Sequence, residues 1–152
     1  MKKKMSVMGV GHKAGTIVGG YLALAVVLSN RFYPLFRLTG AADGPLFTAG
    51  IALALVGFSL NLVAAGQMLR AHKSDTLATT GLYRIFLYPM YFFQVCLTIP
   101  GVALLFNSWL VLTTVLVGIA AVKLFVPEEN HYLENRYGDA YQAYRRQVLF
   151  RF

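Results

Sequence analysis

Charged residues leave three long gaps in the chain: Ala14 to Asn30, Gly44 to Leu69 and Ile85 to Val122 carry none. A bilayer core of ~30 Å needs ~20 apolar residues as a helix, because a helix rises only ~1.5 Å per residue. The first two gaps each suit one span. The third holds 38 residues and as one straight helix would reach ~57 Å, too long for a bilayer. It has to double back. Asn107-Ser108 is its strongly polar, turn-favouring dipeptide, and Trp109 beside it suits the headgroup level where amphipathic rings settle. The pattern predicts an all-α integral membrane protein with about four transmembrane helices, 14–30, 45–69, 89–106 and 109–126, and an amphipathic cytoplasmic tail over 127–152. With no internal repeat in view, residues 1–152 read as a single membrane domain.

Composition agrees with lipid as the main solvent: 57% of residues are hydrophobic and 13% charged, with a mean hydropathy of +0.58. The net charge of +8 would suit a nucleic-acid partner until its positions are read. Lys2, Lys3, Lys4, Lys13, Arg70, Lys73, Arg84, Arg136, Arg145, Arg146 and Arg151 fall on one side of the predicted topology, and only Arg31 and Arg37 in the opposite loop. Lys123 can snorkel toward the richer side. The positive-inside rule then places both termini in the cytoplasm of a multi-pass protein; a bacterial or archaeal cell membrane is the expected location, and no nucleic-acid partner is expected. The lysines before the first span resemble a signal-peptide n-region, but Arg31-Phe-Tyr-Pro is not a small-residue cleavage site. Cys96, the single cysteine, falls inside the third span and reads as a small core residue.

Gly15 and Gly19, followed by Gly20 and Ala23, and again Gly50, Ala54 and Gly57, give two spans small-residue faces. These suit close helix packing, a ligand slot between helices, or an oligomer contact. Arg70 to Tyr88 has turn chemistry and no helical period, so it reads as a cytoplasmic loop. Pro89 suits the first position of the third helix, and Pro100 should kink that helix and open space near the core. Pro127-Glu128-Glu129 has the composition of a fresh helix start, and Gly138-Asp139 of a helix end and a new cap. Tyr137, Tyr141, Tyr144 and Val148 then recur at helical spacing, predicting a tyrosine-faced helix on the membrane surface.

No zinc spacing, P-loop, nucleophile elbow or Gly-x-Gly-x-x-Gly is present, and no metal site is expected. Polar and aromatic residues gather instead at the predicted cytoplasmic helix ends: Gln67, Arg70, Tyr83, Arg84, Tyr88, Tyr91, Glu128, Glu129, His131 and Tyr132. Each has a plain alternative. The glutamates suit a helix start, the tyrosines an interfacial aromatic belt, Gln67 and Arg70 headgroup contacts, and His131, like His12 and His72, a solvated surface.

The stretch Thr80-Gly81-Leu82-Tyr83-Arg84-Ile85-Phe86-Leu87-Tyr88-Pro89-Met90-Tyr91 resembles the Gly-Pro-Tyr-Arg-x-x-Arg-His-Pro-x-Tyr signature of the isoprenylcysteine carboxyl methyltransferase and phospholipid methyltransferase superfamily. Glu128-Glu129, Leu133, Tyr137-Gly138-Asp139, Tyr141 and Tyr144-Arg145-Arg146 are similar to its closing motif. Together they cover roughly Gln67 to Val148. The resemblance implies transfer of a methyl group from S-adenosylmethionine to a lipidic or prenylated small-molecule acceptor that arrives from the membrane lipid. It implies a pocket at the cytosolic face formed by signature loop, helix ends and folded-over tail. On this reading Glu128, Glu129 and Arg70 are the catalytic candidates, and Gln67, Tyr83, Arg84, Tyr88, Pro89, Tyr91, His131 and Tyr132 would bind the cofactor.

Where the family has Arg-His before proline this chain has Leu87-Tyr88, where it has Gly-Pro this chain has Gly81-Leu82, and Leu149-Phe-Arg-Phe replaces its closing segment. The exchange removes a cation and an imidazole, which a phenol replaces only in part. Two alternatives follow: a non-catalytic relative of the same fold that binds lipid or a partner protein, and a membrane reductase of the sterol-reductase kind that uses a nicotinamide cofactor. A proton-coupled exporter lacks support, since no acidic residue lies in the first span.

Overall fold

The computed structural model describes residues 11–40 and 43–151, and Lys2, Lys3 and Lys4 lie outside that range. The regular secondary structure of the described residues is helical, with only isolated bridges between extended pieces. Helix α1 is Gly11–Arg31, a single turn α2 is Tyr33–Phe36, and α3 is Asp43–Lys73. After a 3₁₀ turn at Gly81–Arg84 the chain runs as α4 Pro89–Phe93, a π-helical turn Gln94–Thr98, and α5 Ile99–Leu105. The turn α6, Trp109–Leu112, leads into α7, Thr114–Tyr137, and α8 is Asp139–Gln147.

Among the described residues, three helices are long and apolar enough to cross a membrane: Gly11–Arg31, the one ending at Lys73, and Trp109–Tyr137. Pro89–Leu105 is a shorter apolar helix. Their outer faces are unsuited to water. Leu55 is 61% exposed, Leu116 67% and Leu124 72%, and apolar surface on that scale in water would cost about 25 cal/mol per Å². Lipid removes the cost. Cys96 also lies on the outer face, against its reading as a core residue: the π turn adds a residue to the helical repeat and rotates the position outward.

The hairpin falls at Asn107-Ser108, where Asn107 takes φ 44°. Its carboxamide donates to the Thr39 carbonyl at 3.1 Å and accepts from the Thr39 N–H at 3.3 Å. The Ser108 hydroxyl caps α6 by accepting from Val111 N–H at 3.2 Å. Trp109 Nε1 donates to the Leu35 carbonyl at 3.3 Å, and its ring meets Phe36 edge-on. One end of the bundle is thereby stitched to the loop that carries Arg37.

The small-residue face of α3 is in use. A Cβ on Gly50 would lie 2.8 Å from Leu105 N and 2.9 Å from the Gly101 carbonyl, one on Gly57 would lie 2.7 Å from Thr98 N, and one on Gly101 would lie 2.5 Å from Ala54 N. Pro100 cannot donate to the carbonyl four residues back, and the preceding turn relaxes to a π bond from Ile99 N–H to the Gln94 carbonyl. The irregularity brings α3 close where the sequence suggested open space. On α1 the matching positions Gly15, Gly19 and Gly20 meet nothing within 4 Å.

Two boundaries and the facing of one helix also differ from what the sequence predicts. Helix α3 continues to Lys73, so Arg70 sits in its last turn and not in a loop, with Arg70, His72 and Lys73 at the negative end of the helix dipole. Helix α7 runs through Pro127 without a fresh start. An interior proline costs ~3 kcal/mol, but side chains just beyond it are bonded to α1, Tyr88 and α4, which holds the helix in line. The tyrosine stripe of α8 faces protein and not the membrane surface: Tyr141 and Tyr144 are buried against Tyr83, Tyr88, Val122 and Val126. Phenols there find bonding partners that hydrocarbon lacks.

Candidate functional site

At the end opposite the hairpin, the signature loop, the start of α4 and the C-terminal half of α7 meet. The loop is built around Gly81, whose φ of 63° is the left-handed conformation glycine adopts at no steric cost. A Cβ there would run into the Gln67 side chain, 2.3 Å from its Nε2. That approach lets Gln67 Oε1 accept the Leu82 N–H at 3.0 Å and tie the loop to α3. From the other side the Tyr144 hydroxyl donates to the Tyr83 carbonyl at 2.6 Å.

Pro89 is the first residue of α4, and Tyr88 before it has φ −130° and ψ 70°, outside the helical region that proline denies its predecessor. This geometry aims two phenols at α7. Tyr91 donates to Glu129 Oε2 at 3.0 Å, and Tyr88 donates to Asn130 Oδ1 at 2.6 Å. The Tyr141 hydroxyl of α8 also donates to Asn130 Oδ1 and lies 3.3 Å from that of Tyr88. Burial holds the Tyr83, Tyr88, Tyr141 and Tyr144 phenols above their ordinary range.

The tail closes over the loop. Phe150 N–H donates to the Ile85 carbonyl and Leu87 N–H to the Phe150 carbonyl, each at 3.0 Å, and the Phe150 ring stacks on Phe86. Beside the loop, a cleft of about 430 Å³ is lined by Gln67, Arg70, Ser74, Thr76, Thr79 and Thr80, among others.

The structure brings Tyr83, Tyr88, Pro89, Tyr91 and Glu129 into one cluster and places Gln67 at its edge. Arg70 lines the adjoining cleft. Glu128 turns the other way, toward Lys13 of α1 at 3.2 Å, with both side chains about half exposed. Arg84 and His131 are exposed. Tyr132 accepts from Arg136 at 2.6 Å, and Arg136 in turn pairs with Asp75. Sequence reasoning did not single out Asn130, which ties Tyr88 to Tyr141. Its position next to Glu129 in the motif was the only signal. The resemblance implied a folded-over tail, but not that Tyr141, Tyr144 and Phe150 are the tail residues that meet the loop and the helix ends.

These features define an all-helical membrane protein with a polar, tyrosine-rich site at one end of its spans. The phospholipid methyltransferase family matches residues 45–140, well over half of the chain, and the protein belongs to that family. Comparison with curated proteins and with solved structures returned no match.

Proposed function

We propose that the chain is one membrane domain of four spans that transfers a methyl group from S-adenosylmethionine to a lipidic acceptor at the cytoplasmic face. The observation that carries this reading is the Tyr91–Glu129 hydrogen bond, which joins the signature segment to the acidic motif. Among the described residues Glu129 has Tyr91 as its hydrogen-bond partner and no cation in ion-pair reach. A half-buried carboxylate of this kind suits a cationic ligand. The cleft beside the signature loop supplies a guanidinium and several hydroxyls for a carboxylate and a ribose. The donor set therefore fits the cofactor. When bound, S-adenosylmethionine supplies an activated methyl group on a cationic sulfur.

The chain's own contribution is placement and dryness. Tyr91 orients the Glu129 carboxylate, Gln67 holds the loop, and Arg70 would bind the cofactor's carboxylate. Tyr141 and Tyr144 are buried against the loop, and a dry setting favours a reaction that neutralises charge as the new bond forms. Lys13, Arg70, Lys73, Arg84, Arg136, Arg145, Arg146 and Arg151 all belong to this end, the basis for assigning it to the cytoplasm.

Titration calorimetry on the solubilised protein should give micromolar binding of S-adenosylhomocysteine, weakened about five- to tenfold by Tyr91→Phe, the worth of one hydrogen bond. Glu129→Gln should weaken S-adenosylmethionine more than S-adenosylhomocysteine, whose sulfur is uncharged. A second reading has its own observation: where the family carries Arg-His, the Tyr88 hydroxyl is spent on Asn130 and the Leu87 N–H on Phe150. A flat titration with the helical circular dichroism intact would favour this non-catalytic, lipid- or partner-binding form. Binding of a nicotinamide cofactor in its place would point to the reductase.

A further inference from the structure

Two carboxamides lie within the apolar helices, about one to two helical turns below the polar site. Asn61 is six residues before Gln67 on α3, about 9 Å deeper by helix rise. Gln94 opens the π turn, three residues beyond Tyr91. The Asn61 Nδ2 spreads its hydrogens over the Gly57 carbonyl at 3.0 Å and Gln94 Oε1 and Thr98 Oγ1 at 3.4 Å each. Thr98 Oγ1 donates its own hydrogen to the Phe93 carbonyl at 3.3 Å. A carboxamide offers two donors and an acceptor with two lone pairs. Asn61 Oδ1 and Gln94 Nε2 have no bonding partner among the described residues.

Helix-to-helix adhesion explains the bond between the two side chains but not the halves left over. At this depth water is scarce and an unmade hydrogen bond is costly. Both residues are half-buried and so reachable from outside the bundle. Together they present one acceptor and one donor. No charged residue occurs from Gly44 to Leu69 or from Ile85 to Val122, so a charged group has no counterion here. The π turn is itself a feature that recurs at functional sites.

We infer that Asn61 and Gln94 hold an uncharged polar group of the lipidic acceptor, an ester carbonyl or a hydroxyl, while the acceptor lies along the outer, lipid-facing edge of the seam between α3 and α4. This rests on the reading of an amphiphilic acceptor. It makes the pair specificity-determining and leaves the cofactor to the site above.

The test measures lipid retention, not turnover. The full chain is placed in nanodiscs holding equal amounts of a diacyl phosphatidylcholine and its diether analogue of matched chains. Lipid that stays bound after release is counted by mass spectrometry. A parallel pair is hexadecanol and its methyl ether. The wild type should retain diacyl over diether lipid, or alcohol over methyl ether, by about five- to tenfold, the effect of one hydrogen bond. Which pair shows the preference tells ester carbonyl from hydroxyl. In the shape-matched double variant Asn61→Leu, Gln94→Met the preference should vanish. Equal retention in both pairs by the wild type overturns the inference without any variant, as does a preference that survives in the double variant. S-adenosylhomocysteine titration of the same samples reads the methyl-transfer proposal separately, since its failure leaves the lipid preference intact.

Discussion

At the residue scale the site depends on a few positions that cannot be exchanged freely. Gly81→Ala puts a side chain on a left-handed backbone, at ~1–2 kcal/mol, and pushes Gln67 off the Leu82 N–H. Thermal unfolding in detergent should show a lowered midpoint, and the same change at Gly15, which faces open space on α1, should leave it almost unmoved. The buried phenols make a pH prediction. Burial raises Tyr83, Tyr88 and Tyr144 in the folded protein, so their contribution to stability is complete below an unfolded value of about 10 and is lost as pH rises beyond it. Phenolate absorbance should therefore show only part of the nine tyrosines ionising while the fold persists, and the rest appearing together with alkaline unfolding. Glu128 and Glu129 show what a motif leaves open. Adjacent helical residues point about 100° apart, so one meets Tyr91 and the other Lys13, a distinction that helix phase makes and composition does not.

At the element scale, α3 and the broken helix α4–α5 form the tightest pair, and the sequence carried a sign of it in Gly50, Ala54 and Gly57. Gly57→Ala would force a methyl to 2.7 Å from Thr98 N, a backbone atom that cannot swing away. The cost should be about 1–3 kcal/mol, read as a loss of thermal stability. Pro100 and Pro127 were equally visible, yet they behave differently. Pro100 is absorbed by a π turn. Pro127 is carried inside a continuous helix because partners on α1 and α4 grip the residues that follow it. No local rule separates these outcomes, since each depends on what lies across the interface.

For the whole molecule, the asymmetry of basic residues predicts which end faces the cytoplasm. With Cys96→Ser as background, a membrane-impermeant maleimide should label Ser74→Cys only after the cytoplasmic side is opened, whereas Leu38→Cys near the hairpin should label in intact cells. Labelling in the reverse order would move the proposed chemistry to the other face.

Runs of uncharged residues, the polar break at Asn107-Ser108 and the spread of lysine and arginine set the helices, the hairpin and the predicted orientation. Each is decided locally, by the cost of carrying a charge or an open backbone into hydrocarbon. Only the tertiary structure decided that the tyrosine stripe of α8 turns inward, that Phe150 pairs with the signature loop, that Asn130 bridges Tyr88 and Tyr141, and that Glu129 is the glutamate facing Tyr91. Most of those contacts join residues dozens of positions apart, and their geometry depends on the rotation and depth of each helix against its neighbours, which the burial and hydrogen bonding of the assembled bundle determine.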